Sequence, residues 1–282
     1  MTWSVFIFFA SAAVILWAGG SAAAMFARRK MAIALIAAGI LVYSAFIAGF
    51  WITLGRPPLR TTGETRLWYS FFMMLSAMLT YIRWGYRWIP AFSLVVATVF
   101  ICLNLFRPEI HDESLMPALQ SWWFIPHVTV YMFSYSLLGC AFILACVSLF
   151  RKTDEYLPAA DTLVYIGLAF LSLGMLSGSL WAKQAWGDYW TWDPKETWAA
   201  ATWLSYLLYM HLRQGSALSS VTSAGSEAIA RQNSPAIEVA SHSNKALHRT
   251  LFLLIFSFLL LQMCWWGVNY LPSAQGFSLH TY

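Results

Sequence analysis

Apolar residues run along this chain in long blocks separated by short polar connections. A helix needs roughly 20 apolar residues to cross a bilayer, and eight stretches reach or approach that length. They lie at 3–25, 31–54, 67–82, 88–106, 123–150, 163–182, 194–212 and 249–271. The stretch 67–82 is the shortest, and the tight turn Arg83-Trp-Gly-Tyr-Arg87 divides it from its successor. The pattern predicts an all-α polytopic membrane bundle of about eight transmembrane helices, forming one integral membrane domain over 1–282. The first apolar run is too long for a signal peptide's apolar region and shows no small-residue cleavage site. It is expected to be a retained helix. The segment 214–247 breaks the pattern. It is rich in Ser, Ala, Asn and Gln, holds Gly215, Gly225 and Pro235, and predicts a flexible loop.

Composition narrows the class. Only 10% of residues are charged and 60% are hydrophobic, whereas soluble domains carry about 25% charged residues. The four cysteines, Cys102, Cys140, Cys146 and Cys264, sit in apolar runs without CxxC spacing. They read as small buried hydrophobes, not as a disulfide frame or a metal site. The net charge of +5 is modest, and the basic residues read as topology signals instead of a nucleic-acid patch. Arg28, Arg29, Lys30, Arg83, Arg87, Arg151, Lys152, Arg213, Arg231, Lys245 and Arg249 fall on one set of connections. The other set holds only Arg56, Arg60, Arg66, Arg107, Lys183 and Lys195. The richer set marks the cytoplasmic side. Both termini are then outside, and 214–247 is a cytoplasmic loop.

The most informative stretch is Trp186-Gly-Asp-Tyr-Trp-Thr-Trp-Asp-Pro-Lys-Glu-Thr-Trp198, between the sixth and seventh apolar blocks on the outer side. Asp193 reads as an N-cap, Pro194 fits the first helical position, and Glu196 completes a capping box. An interfacial aromatic belt accounts for one or two tryptophans at a helix end. It does not account for Trp186, Trp190 and Trp192 gathered in a loop with Gly187. A dense aromatic shelf beside a positive helix end suits a large, flat, anionic ligand with a π face. The stretch resembles the tryptophan-rich WWD motif of the haem-handling proteins of cytochrome c biogenesis. Its ending, WDPKETW, is most similar to the CcsA (ResC) branch, the membrane subunit of the System II cytochrome c synthase.

Position sorts the six histidines. His127 follows Trp122-Trp-Phe-Ile-Pro126 at the outer start of the fifth block, and His280 lies in the tail Gly276-Phe-Ser-Leu-His-Thr-Tyr282. Both share the side of the tryptophan shelf, and two imidazoles flanking it can supply both axial ligands of a haem iron. His111, in Pro108-Glu-Ile-His-Asp-Glu113, reads as a solvated loop residue. His242 falls in the 214–247 segment, and His248 at the start of the last block reads as interfacial. His211 is seventeen residues beyond Pro194, roughly 25 Å along a helix. It either snorkels to the inner surface or marks a second site on a path through the membrane.

The resemblance extends over 122–282, while 1–110 match loosely, around Glu64–Phe72. WWFIPHV is similar to the family's external ligand region, YMHLR to its inner histidine, and GVNYLPSAQGFSLHTY to its closing segment. On that basis His127 and His280 correspond to the external haem ligands and His211 to an internal one. The resemblance implies b-type haem as substrate, stacked on Trp186, Trp190 and Trp192. Asp193 would fix the loop, and Lys195 would meet a propionate. It also implies a CcsB (ResB) type membrane partner, an apocytochrome c with a CxxCH segment, and thiol-reducing proteins. The expected activity is that of a subunit of cytochrome c haem lyase, attaching haem outside a bacterial inner membrane. The alternative is a haem transporter or chaperone without ligation chemistry, as in the CcmC branch. No residue stands out as a dedicated general acid or base, and no nucleotide loop or nucleophile elbow is present.

Overall fold

The computed structural model describes residues 1–111, 119, 121–230 and 236–265, with side chains outside 216–246. Eight α-helices account for almost all of these residues: α1 (Trp3–Met25), α2 (Arg29–Leu54), α3 (Thr62–Trp84), α4 (Ile89–Phe106), α5 (Phe124–Arg151), α6 (Leu157–Trp186), α7 (Pro194–Ala230) and α8 (Ala236–Trp265). A short 3-10 turn, Pro108–His111, follows α4. The protein is a polytopic helical membrane protein. Six helices are long and apolar enough to cross a membrane by length and composition. The exceptions are α3, diluted by Glu64, Arg66 and hydroxyl residues, and α7, which carries Lys195, Glu196 and Arg213.

The helix boundaries follow local chemistry. α3 begins at a capping box in which the Thr61 hydroxyl accepts from the Glu64 N–H at 3.1 Å and the Glu64 carboxylate accepts from the Thr61 N–H at 3.3 Å. α6 ends at Gly187, whose φ of 94° is the left-handed conformation a glycine C-cap supplies without strain. α7 begins as its sequence predicts. The Asp193 carboxylate accepts from the Lys195 N–H at 2.7 Å, and the Glu196 carboxylate accepts from the Asp193 N–H at 3.2 Å.

The expected loop at 214–247 is corrected in its secondary structure. The backbone stays helical to Ala230 and is helical again from Ala236. Between Gln214 and Ala230 the chain has no proline and is rich in alanine and serine. Loss of apolar periodicity removes a reason to be buried but does not stop a helix.

Sequential helices pair as antiparallel hairpins, and α5 with α6 is the most extensive pair. Among the described residues, two large apolar cores and a small cluster of Ala23, Ala24, Ala32 and Tyr81 result. One joins α1 and α2 to α3 and α4 through Phe6, Trp17, Tyr43, Phe46, Leu67 and Ile101. The other joins α3 and α5 to α6, α7 and α8 through Tyr69, Met73, Leu138, Leu168, Tyr206 and Leu254. α3 contributes to both and ties them together. Because the helices alternate in direction, the starts of α3, α5 and α7 meet the ends of α4, α6 and α8.

Candidate functional site

Those six helix ends enclose a cavity of about 570 Å³, within the roughly 300–1,000 Å³ typical of small-molecule and cofactor sites. His127 lines it from the first turn of α5, and Tyr131 and Tyr135 follow one and two turns further along the same stripe. The rings form a continuous run. His127 and Tyr131 have centroids 4.6 Å apart, Tyr131 stacks on Tyr135 at 5.5 Å, and Tyr135 meets Trp265 of α8 at 5.6 Å. On its other side His127 stacks on Trp181 of α6 at 5.4 Å.

Two glycines let α5 approach α6 this closely. A Cβ on Gly178 would lie 2.6 Å from the imidazole of His127, and one on Gly174 would overlap the Tyr131 ring. His127 Nδ1 lies 2.8 Å from the Gly174 carbonyl oxygen. A carbonyl can only accept, so Nδ1 carries the proton and Nε2 is the lone-pair nitrogen. A carbonyl on one ring nitrogen fixes the tautomer and ring plane, as it does in many metal-binding imidazoles.

The sequence-predicted loop divides in three. Trp190 lines the cavity, and its indole Nε1 is buried with no hydrogen-bond partner among the described residues. Trp186 stands behind the wall, edge-on to Trp181 at 4.8 Å. Trp192 is 69% exposed and adopts a left-handed φ of 58°. Its ring meets Trp190 edge-on at 5.7 Å. The loop is held from within. Glu196 Oε2 accepts from the Thr191 N–H at 2.7 Å and from the Asp193 N–H, and Lys183 Nζ donates to the Gly187 carbonyl at 2.5 Å. Asp193 is buried. Lys195 lines the cavity.

The charge in the wall goes beyond Lys195. Arg60, Arg66 and Arg107 also line the cavity, against the carboxylates Glu109 and Glu196. Sequence reading treated these arginines only as topology markers. Their pointer was the Thr61-x-x-Glu64 capping signature, which starts α3 at Thr62 and turns Arg66 into the bundle. Arg66 is 5% exposed. Arg60 is held below its ordinary pKa by burial first and by neighbouring Arg56 second. Tyr131, Tyr135 and Trp181 were likewise missed, although 127, 131 and 135 form an i, i+4, i+8 stripe. Cys264, read as a buried hydrophobe, is buried and forms part of the cavity wall.

The other histidines lie elsewhere. His111 is not the solvated loop residue expected. It is half-buried and stacks on Trp3 with centroids 3.9 Å apart and planes 3° apart. Burial lowers its pKa, against the opposing pull of Glu64 and Glu109. His211 is exposed on α7, where Nδ1 lies 3.0 Å from the Leu207 carbonyl oxygen of the preceding turn. His280 and the closing segment lie outside the described residues.

The chain is thus a helical membrane bundle with an aromatic cavity among its helix ends and the imidazole of His127 in the cavity wall. The model of the cytochrome C assembly protein family matches residues 5–226, and the chain belongs to that family. Similar proteins include several named cytochrome c biogenesis protein CcsA. The one from Chlamydomonas reinhardtii is 39% identical over 132 residues, covering 42% of this chain and 37% of the relative. Those from Cuscuta exaltata and Phalaenopsis aphrodite subsp. formosana are each 28% identical, covering 85% and 86% of this chain and 80% and 85% of theirs. The chain's role is in cytochrome c maturation.

Proposed function

We propose that this protein holds b-type haem in the cavity at the α5 start and presents it to apocytochrome c, as a subunit of a cytochrome c haem lyase. The observation that carries this reading is the fixed imidazole of His127, with Nδ1 tied to Gly174 and the ring wedged between Trp181 and Tyr131. It is the arrangement of an axial ligand held in one orientation. His280 supplies the second axial ligand. Trp190 and Trp181 provide aromatic surface to the macrocycle. Trp186 braces Trp181, Trp192 covers the outer rim, and Asp193 with Gly187 sets the loop's path. Lys195 contributes positive charge near a propionate.

The haem supplies the reactive vinyl groups and the iron; the protein positions them. The CxxCH thiols of the apocytochrome add to the vinyls, and thiol-reducing proteins keep them reduced. The cavity faces outside a bacterial inner membrane, because the end of the bundle that carries it has six Lys and Arg against eleven at the other. His211 marks an inner haem site completed by a CcsB-type partner. The runner-up, a haem transporter without ligation, predicts the same haem binding but no covalent product.

The test begins with the absorption spectrum of the protein co-expressed and purified with its partner. Low-spin bis-histidine haem is expected. His127→Gly should lose most of it and recover part with added imidazole. Normal low-spin haem in His127→Gly would overturn the ligand assignment. Covalent attachment of haem to a CxxCH peptide, in the presence of the partner, separates ligation from transport.

A further inference from the structure

α6 meets α7 along a thin seam. Among the described residues it packs against α7 far less extensively than against α5. Polar contacts reinforce the seam. Near its middle the Trp203 indole N–H donates to the Ser172 hydroxyl at 2.8 Å. At its inner end the contacts converge on Asp161, in the second turn of α6. Asp161 Oδ1 accepts from the Tyr209 hydroxyl at 2.7 Å. The Arg213 guanidinium grips the same carboxylate with both arms, Nε donating to Oδ1 at 3.0 Å and Nη2 to Oδ2 at 2.6 Å. Gln214 Nε2 adds a bond to the Tyr165 hydroxyl at 3.1 Å. Asp161 and Arg213 are both partly buried. A planar fork held by two oxygens fixes direction as well as distance.

Helix geometry carries that fix to His211. Each residue turns the helix by about 100°. Tyr206, Tyr209 and Arg213 are spaced i, i+3, i+7 and share one stripe of α7. The two tyrosines are buried, and Arg213 is tied to α6. Leu204, Leu208 and His211 are spaced i, i+4, i+7 and share the opposite stripe, where all three are exposed. His211 stands two residues before Arg213, so about 200° separate them. Holding Arg213 against α6 therefore turns His211 outward. Beyond Gln214 the sequence loses its apolar periodicity, and with it the burial pattern that sets a helix's rotation.

We infer that the Asp161–Arg213 pair, with Tyr209, sets the rotation of the inner part of α7 and so presents His211 away from the bundle, towards a partner helix. This inference rests on the reading of His211 as part of an inner haem site and supplies the residues that aim it. Asp161, Tyr209 and Arg213 are positioning residues, acting through His211 and not on the haem.

The first test follows diethyl pyrocarbonate modification of His211 in the purified full-length chain by mass spectrometry. The exposed imidazole of the wild type should react readily. Asp161→Asn and Arg213→Gln should each slow that reaction about threefold or more, as α7 turns and carries the ring towards its neighbours. Exchanging the charges, Asp161→Arg with Arg213→Asp, should restore most of the rate. Arg151→Gln removes a contact to the Tyr156 hydroxyl at the same end of the bundle and should leave the rate unchanged. The second test co-expresses the partner. Asp161→Asn should lower haem per protein to the level of His211→Ala, and combining the two should cause no further loss. An unchanged or faster His211 reaction in either single variant overturns the inference, and so do additive losses of haem. Arg213→Lys keeps the charge but loses the fork, and decides by the same two measurements if the other variants do not fold. If His211→Ala loads haem fully while the reaction rates respond as expected, the inner haem reading fails and the positioning of His211 stands.

Discussion

At the scale of single residues, the site depends on what is missing from α6 as much as on what is present. Gly174 and Gly178 are four apart, so they form one notch facing α5. The notch admits the rings of Tyr131 and His127 and leaves the Gly174 carbonyl within reach of Nδ1. Gly178→Ala places a methyl carbon 2.6 Å from the imidazole, a separation that forces the ring to move. Over-packing of this kind costs about 1–3 kcal/mol. The expected outcome is a strong loss of haem per protein in Gly178→Ala, with a modest fall in thermal midpoint. In a His127→Gly background the same substitution should have little further effect, because the ring it displaces is gone. A double-mutant cycle on haem content measures that coupling; additive losses would show that Gly178 acts on something other than His127.

At the scale of elements, the 187–193 connection shows what could be read from sequence and what could not. The start of α7 was legible because Asp193, Pro194 and Glu196 encode it in consecutive local bonds. The division of labour among the tryptophans was not. Trp190 turns into the cavity, Trp186 braces Trp181, and Trp192 stays exposed, because Gly187 and the left-handed Trp192 set two backbone turns that composition does not reveal. Histidine 127 was legible as a ligand candidate by its place at a helix start. The place of Arg60 and Arg66 in the cavity wall was not, because it depends on how the start of α3 packs against α5, a tertiary fact. The 214–247 segment misled for the opposite reason: it lacks a burial pattern but keeps helix-compatible residues. The loop's hold on Glu196 is testable. Glu196→Ala removes the acceptor of the Thr191 and Asp193 N–H groups and should cost about 1 kcal/mol, as lost caps do. Hydrogen exchange at those two amides should speed up several-fold, while amides in the middle of α5 stay protected. Unchanged exchange at Thr191 would mean that the loop is held by its aromatic packing.

At the scale of the whole molecule, the cavity and His211 lie at different depths. α7 is continuous from Pro194 through His211, so seventeen residues separate His211 from the cavity end by roughly 25 Å. One haem cannot touch both His127 and His211. His211 also faces away from the bundle, on the same exposed side of α7 as Leu204 and Leu208. Its Nδ1 is held by the Leu207 carbonyl, which leaves Nε2 as the outward lone pair. A histidine so placed cannot enclose a ligand with this chain alone, so a role in haem entry would require a second protein against α7. With a CcsB-type partner co-expressed, His211→Ala should lower haem per protein severalfold while the remaining haem keeps its bis-histidine spectrum. His127→Ala should instead alter the spectrum of whatever haem remains. Without the partner, the wild-type chain and His211→Ala should carry equally little haem. If His211→Ala and His211→Gln both load fully beside the partner, His211 is a surface residue and haem reaches the cavity by another route.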